Sequence, residues 1–247
     1  MQKLTMFQKL RLSFVPQILY RSEDGHIEIT DSMENGRPVR LLTYDGIRES
    51  GIYLDERSDR DPLFYYMQTL KEISLKYDGL NRALLIGGGG MSFPGYFLNC
   101  VPDGQMTVVE KDQKMVELAI KYFFFEESDR IKAVVDDGAA FIANKAKELA
   151  ACGVDSNYNK YDFIIFDAFD GNKASKSLLS EGTLKLAYQM TSDDGILAIN
   201  MLNEKPGVVS MQTHFCQAIL RQIYRNTSLI ICPQKWNCII LASDRKL

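Results

Sequence analysis

The chain predicts an α/β fold built on a mostly parallel sheet and closed by an antiparallel pair of strands. Three observations carry that expectation. From Arg82 onward, short apolar runs alternate with longer amphipathic stretches, which is the signature of strands separated by crossover helices. Leu84-Leu85-Ile86 runs straight into four glycines, Gly87-Gly88-Gly89-Gly90. Glycine reaches positive φ without steric cost and lets a ligand come close to the backbone. Finally, the last two apolar runs are separated only by Pro233-Gln234-Lys235. That gap is too short for a crossover helix, so these strands must pair antiparallel.

Upstream of the alternation, His26–Asp31 and Val39–Tyr44 have strand character. Asn35-Gly36 and Asp45-Gly46 are two-residue hairpin signals. Residues 1–60 are therefore expected to form an N-terminal tail and a small antiparallel β unit, and residues 61–247 the main domain. Asp59-Arg60-Asp61-Pro62 should open a helix with Pro62 near its first position, running to about Lys76. Strands are then expected over 83–87, 106–110, 131–135, 162–167, 195–200, 227–232 and 236–242. Helices are expected near 93–100, 112–125, 138–150, 176–190 and 207–224, and a surface loop over 151–160. This order describes a Rossmann-like sheet of the type found in AdoMet-dependent methyltransferases, with a C-terminal antiparallel hairpin.

Composition narrows the function. The 247 residues are 46% hydrophobic and 25% charged, with a net charge of −3. A nucleic-acid footprint would want clustered Lys and Arg. The longest apolar runs, such as Phe163–Phe166, fall far short of the roughly 20 residues a membrane helix needs, and Met1–Tyr20 has no continuous apolar centre. Five cysteines without CxxC spacing and only two histidines, His26 and His214, disfavour a metal centre or a His-based triad. Free thiols fit a reducing compartment, so a cytoplasmic protein acting without nucleic acid, membrane or metal is expected.

The carboxyl ends of the strands locate the site, because ligands of open α/β sheets dock there. No Gly-Lys-Ser/Thr follows the glycines, which excludes a P-loop. The next strands end in Glu110, in Asp136-Asp137-Gly138, and in Asp167-Ala168-Phe169-Asp170. A carboxylate at Glu110 can accept both ribose hydroxyls, and one at Asp136 or Asp137 can accept an adenine amino group. One of that pair is also placed to cap the helix that follows. Acidic strand ends suit a sulfonium cation better than a pyrophosphate.

These residues together resemble the spermidine synthase family, the polyamine aminopropyltransferases, over about Ile27 to Ser243. Leu84–Gly90 resembles that family's strand and GGGDGG loop, and Val108-Val109-Glu110 its ribose-binding strand end. Asp136-Asp137-Gly138 resembles its adenine-site Gly-Asp-Gly, and Tyr161–Asp170 its Tyr-Asp-x-Ile-Ile-x-Asp-x-x-Asp segment. Asp61 to Tyr65 resembles its Asp-Glu-Phe-x-Tyr helix start. The resemblance implies AdoMet or decarboxylated AdoMet as co-substrate, bound by Gly87–Gly90, Glu110, Asp136, Asp137 and Gly138. It implies an amine acceptor, a homodimer, and catalysis by Asp167, Asp170 and Tyr65, with Tyr65 bonding the amine or Asp167. An AdoMet methyltransferase, or a nucleoside-binding protein without catalysis, is the alternative.

One departure stands out. The family's loop aspartate, which holds the propylamine end of decarboxylated AdoMet, falls at Gly90. Without that acid, the N–H groups of the glycine turn are expected to accept an anion, and the site to prefer intact AdoMet.

Overall fold

The computed structural model describes residues 6–56, 60–151, 159–170 and 173–247. The short helix α1 (Met6–Phe14) precedes a four-stranded antiparallel sheet of β1 (Gln17–Arg21), β2 (Ile27–Glu34), β3 (Arg37–Tyr44) and β4 (Ile47–Tyr53), paired in sequence order. Asn35, Gly36, Asp45 and Gly46 all have φ between 49° and 76°, the left-handed pair that two-residue hairpins require.

The helix α2 (Tyr65–Lys76) leads into the main sheet. It begins at Tyr65 after a Phe64 cap, three residues later than the Pro62 start expected from the sequence, so Pro62 lies outside it. Next come β5 (Arg82–Ile86), α3 (Ser92–Cys100), β6 (Gln105–Glu110), α4 (Gln113–Tyr122), β7 (Ile131–Val135), α5 (Gly138–Ala151) and β8 (Tyr161–Phe166). A two-residue pair, β9 (Phe169–Asp170) and β10 (Lys173–Ala174), precedes α6 (Glu181–Met190), β11 (Thr191–Leu202), α7 (Met211–Ile223), β12 (Asn226–Ile231) and β13 (Asn237–Ser243). Most of the 151–160 loop expectation falls on 152–158, outside the described residues. The helices α6 and α7 start later than the apolar pattern suggested, because Ser180 and Ser210 cap them by accepting the N–H of Thr183 and Thr213.

The seven main strands run in the order β12-β13-β11-β8-β5-β6-β7. β11, β8, β5, β6 and β7 are mutually parallel, and β13 is antiparallel to both neighbours. The strand order reverses between β5 and β8, so the crevice at their carboxyl ends is the switch point where ligands bind.

Alternation along the strands fills a core on each face. Leu85, Phe163 and Ile165 pack with Leu70, Phe93 and Phe97 on one side. Leu84, Ile86, Ile164 and Phe166 pack with Ile142, Leu184 and Leu220 on the other. The N-terminal sheet docks through Ile29, Leu42 and Ile52 onto Leu118 and Phe123 of the α4 region. Arg40, paired with Asp31 at 2.7 Å, reaches across to the Tyr122 carbonyl at 2.6 Å. This anchor sets β4 beside the glycine turn.

Candidate active site

Strand β5 ends in a turn that only glycine can make at its first position. Gly87 has φ +95°, and its N–H bonds the Val109 carbonyl at 2.9 Å. A Cβ there would lie 2.2 Å from the Asp167 carbonyl oxygen, so the glycine lets the end of β8 close onto the end of β5. Gly89 is also left-handed at +49°, and the Met91 N–H closes the turn on the Gly88 carbonyl at 2.7 Å.

Glu110, at the end of β6, is buried. One of its oxygens accepts the N–H groups of Gly88 at 2.9 Å and Gly89 at 3.0 Å. The other accepts the Asp112 N–H at 3.0 Å. The glycine turn is thus fastened to the acid beside it. This corrects the anion-cradle expectation, since two of the N–H groups it relied on already have a carboxylate.

Asp167 follows β8, with its N–H bonded to the Ile86 carbonyl at 2.8 Å. Its Oδ1 accepts from Asn200 Nδ2 at 2.8 Å, and Asn200 Oδ1 accepts from Asn237 Nδ2 at 3.0 Å. This relay across β13, β11 and β8 locks the carboxyl in place. Tyr66 also hydrogen-bonds it. Burial pushes the Asp167 pKa up to about 7, the Asn200 and Tyr66 bonds hold it down, and the charge of Glu49 raises it. Burial and the adjacent Asp167 in turn raise the Tyr66 hydroxyl well above the ordinary range.

The tyrosine at Asp167 is therefore Tyr66, not Tyr65. Adjacent residues on a helix point about 100° apart. Tyr66 shares the stripe of Leu70 and Ile73, whose buried side chains face the sheet, whereas Tyr65 is 37% exposed. The spacing 66, 70, 73 was the available signal. Carbon-13 NMR titration of the Asp167 carboxyl tests the assignment. A hydrogen bond to a charged group contributes about 1.5–3 kcal/mol, so Tyr66→Phe should raise the Asp167 pKa by about one unit or more. Tyr65→Phe should leave it unchanged.

The residues expected to meet the adenine lie one strand farther along the same edge. Asp137 caps α5, accepting the Ala140 N–H at 2.9 Å, and Asp136 accepts the Asp137 N–H at 2.8 Å. A Cβ on Gly138 would lie 2.3 Å from Ile86 Cγ2, so this glycine serves the packing of α5 against β5. Asp170 closes β9 opposite Lys173; its side chain lies outside the described residues.

Gly87–Gly90, Glu110 and Asp167 thus meet at the switch point, with Asp136 to Gly138 flanking them. Three contributors were not legible beforehand: Asn200 and Tyr66, and Glu49 on β4. Asn200 is the polar residue inside the apolar run Ile196–Leu202, and that interruption was its signal.

Residues 63–243 match the spermine/spermidine synthase domain. The chain belongs to the spermine/spermidine synthase family. Among curated relatives, the polyamine aminopropyltransferase of Alkaliphilus metalliredigens is 27% identical over 81% of this chain and 64% of its own length. The chain spans about a third to two thirds of the length of such relatives, the lower figure being 37% for the Vibrio vulnificus polyamine aminopropyltransferase. Among solved structures, a probable spermidine synthase from Corynebacterium glutamicum superposes with a TM-score of 0.73 at 18% identity, covering 94% of this chain and 81% of that one. Human methyltransferase-like protein 13, solved with SAH, gives 0.62 at 20% identity over 74% of this chain and 85% of that one. These likenesses confirm the Rossmann-like methyltransferase fold with its antiparallel C-terminal strands and small N-terminal sheet.

Proposed function

We propose that the protein transfers an aminopropyl group from decarboxylated AdoMet to a polyamine-type amine. The observation that carries the reading is Asp167. It is a carboxyl with a pKa pushed up to about 7, held by Asn200 and Tyr66 at the switch point beside Glu110 and the glycine turn. A group poised near neutral pH is suited to taking a proton from an amine. Family membership and the fold supply the frame.

On this reading Glu110 receives a ribose hydroxyl on the one lone-pair site of Oε1 that its three backbone N–H bonds leave open. Asp136 or Asp137 meets the adenine amino group, and Gly87–Gly90 let the nucleoside lie against the backbone. The acceptor arrives as an alkylammonium, whose pKa near 10 makes it no nucleophile until deprotonated. Asp167 accepts that proton, and Asp170 helps to orient the cation. The freed nitrogen forms a bond to the carbon beside the sulfonium. The carbon–sulfur bond breaks, its electron pair returns to sulfur, and neutral methylthioadenosine leaves. Holding donor and acceptor in line supplies most of the remaining acceleration.

The same reading carries a homodimer, for which Ile18, Tyr44 and Ile47 of the N-terminal sheet offer exposed apolar surface, and a cytoplasmic location, which the free thiols of Cys100, Cys216, Cys232 and Cys238 favour.

A second reading, methyl transfer from AdoMet, is favoured by one feature, the missing acid at Gly90. Product analysis by mass spectrometry separates the two. Decarboxylated AdoMet with putrescine or spermidine should release methylthioadenosine. S-adenosylhomocysteine formed from AdoMet would replace the proposal with methylation, and neither product would leave a nucleoside-binding protein.

A further inference from the structure

Strand β4 carries one residue more than its partner. Leu42 pairs with Ser50 and Thr43 with Arg48, so Glu49 stands opposite no residue of β3. A bulge of this kind bends the strand and re-aims the extra side chain, and such bulges are enriched beside active sites. This one sits over the glycine turn. The Glu49 carbonyl oxygen lies 3.7 Å from the position of a Cβ on Gly89. Ser50 fills the corner next to Gly90, its Oγ 2.6 Å and its Cβ 2.7 Å from where a Cβ on that glycine would stand. Ser50 is itself held by a 2.8 Å bond with Ser92. A side chain at position 90 has no room, so β4, not the loop, forms this wall of the site.

The wall carries a charge. Glu49 is exposed on β4, yet desolvation on its protein-facing side and the nearby Glu110 raise its carboxyl above the usual range, and Glu49 in turn raises Asp167 and Tyr66. The Glu49 carboxyl feels Glu110 and is felt in turn by Asp167, so it stands near both the acid assigned to the ribose and the one assigned to the reacting amine. That is where the alkyl tail of the bound nucleoside must run. Among the described residues, no Lys or Arg forms an ion pair with Glu49, Glu110 or Asp167.

We infer that Glu49, set over the glycine turn by the β4 bulge, is the residue that selects the tail of the co-substrate, accepting an aminopropyl ammonium and opposing an amino-acid carboxylate. The inference rests on the nucleoside reading above. It reverses the preference for intact AdoMet expected from Gly90 alone, because the acid missing from the loop is supplied from the neighbouring sheet.

Calorimetric titration of wild type and Glu49→Gln with methylthioadenosine, AdoMet and decarboxylated AdoMet tests it. Methylthioadenosine has no charged tail and reports the nucleoside site and the integrity of the fold. Charge-assisted hydrogen bonds are strong enough to shift affinity by about tenfold or more. Wild type should bind decarboxylated AdoMet at least about tenfold more tightly than AdoMet. Glu49→Gln should bring that ratio to within about threefold while leaving methylthioadenosine affinity within about twofold. An unchanged ratio in Glu49→Gln, with methylthioadenosine still bound, would overturn the role of Glu49 alone. Failure of wild type to bind methylthioadenosine would overturn the nucleoside reading, and the Glu49 assignment with it.

Discussion

Asp167→Asn should lower kcat for aminopropyl transfer by about 10²–10⁴-fold, the usual contribution of a positioned acid or base, while leaving methylthioadenosine binding nearly intact. On the proposed function the two quantities separate, because Asp167 is there assigned to the acceptor amine and Glu110 with the glycine turn to the nucleoside. In wild type, kcat/KM should rise with pH through about 7 as Asp167 loses its proton. The same substitution should make the protein more stable above neutrality. The folded-state pKa, about 7, lies above the ordinary value of 3.8. Between those values the folded protein binds more protons than the unfolded chain, so stability falls as pH rises through that window. Keeping a charged carboxylate buried above pH 7 therefore costs about 4 kcal/mol at 1.36 kcal/mol per pKa unit. Asp167→Asn removes that cost. Chemical denaturation should show the variant more stable than wild type at pH 8, with the two converging at pH 4. Equal stability at both pH values would mean that Asp167 is ionised at little cost.

Gly87→Ala should destabilise the fold by about 2–5 kcal/mol, adding the strain of a non-glycine residue at a forbidden φ to the cost of overpacking. At φ +95°, with a Cβ only 2.2 Å from the Asp167 carbonyl oxygen, alanine forces apart the ends of β5 and β8. Whatever folds should also lose the Asp167 position and with it activity. Gly182→Ala is the control. This glycine lies in the first turn of α6, its φ is not left-handed, and nothing lies within 4 Å of a Cβ there. Its substitution should be neutral or stabilise by up to about 1 kcal/mol. Urea denaturation of the two variants measures the contrast.

The parts legible in the sequence were those written in local patterns. Asn35-Gly36 and Asp45-Gly46 announced hairpins because their backbone demands are local. Leu84–Gly90, Glu110, Asp136 and Asp167 announced a strand-end site because each follows an apolar run. What was hidden depended on tertiary register. Glu49 stands over the glycine turn where the β3–β4 ladder slips by one residue, and a bulge leaves no mark in the alternation of a short strand. Tyr65 and Tyr66 are neighbours in sequence but face different surroundings. The choice between them required the start of α2, and Pro62 pointed three residues too early. Gly138, expected as a ligand contact, also serves the contact between α5 and β5, a role that a ligand-binding glycine does not reveal in sequence. The pair β9–β10, two residues per strand, is too short for any periodicity to reveal.

The most direct measurement of the central claim is a quantitative product balance with decarboxylated AdoMet and putrescine or spermidine. The proposed function predicts methylthioadenosine and aminopropylated amine formed one for one, dependent on the acceptor and slowed by about 10²–10⁴-fold in Asp167→Asn. Methylthioadenosine release that ignores the acceptor, S-adenosylhomocysteine formed from AdoMet instead, or no turnover at all would contradict it.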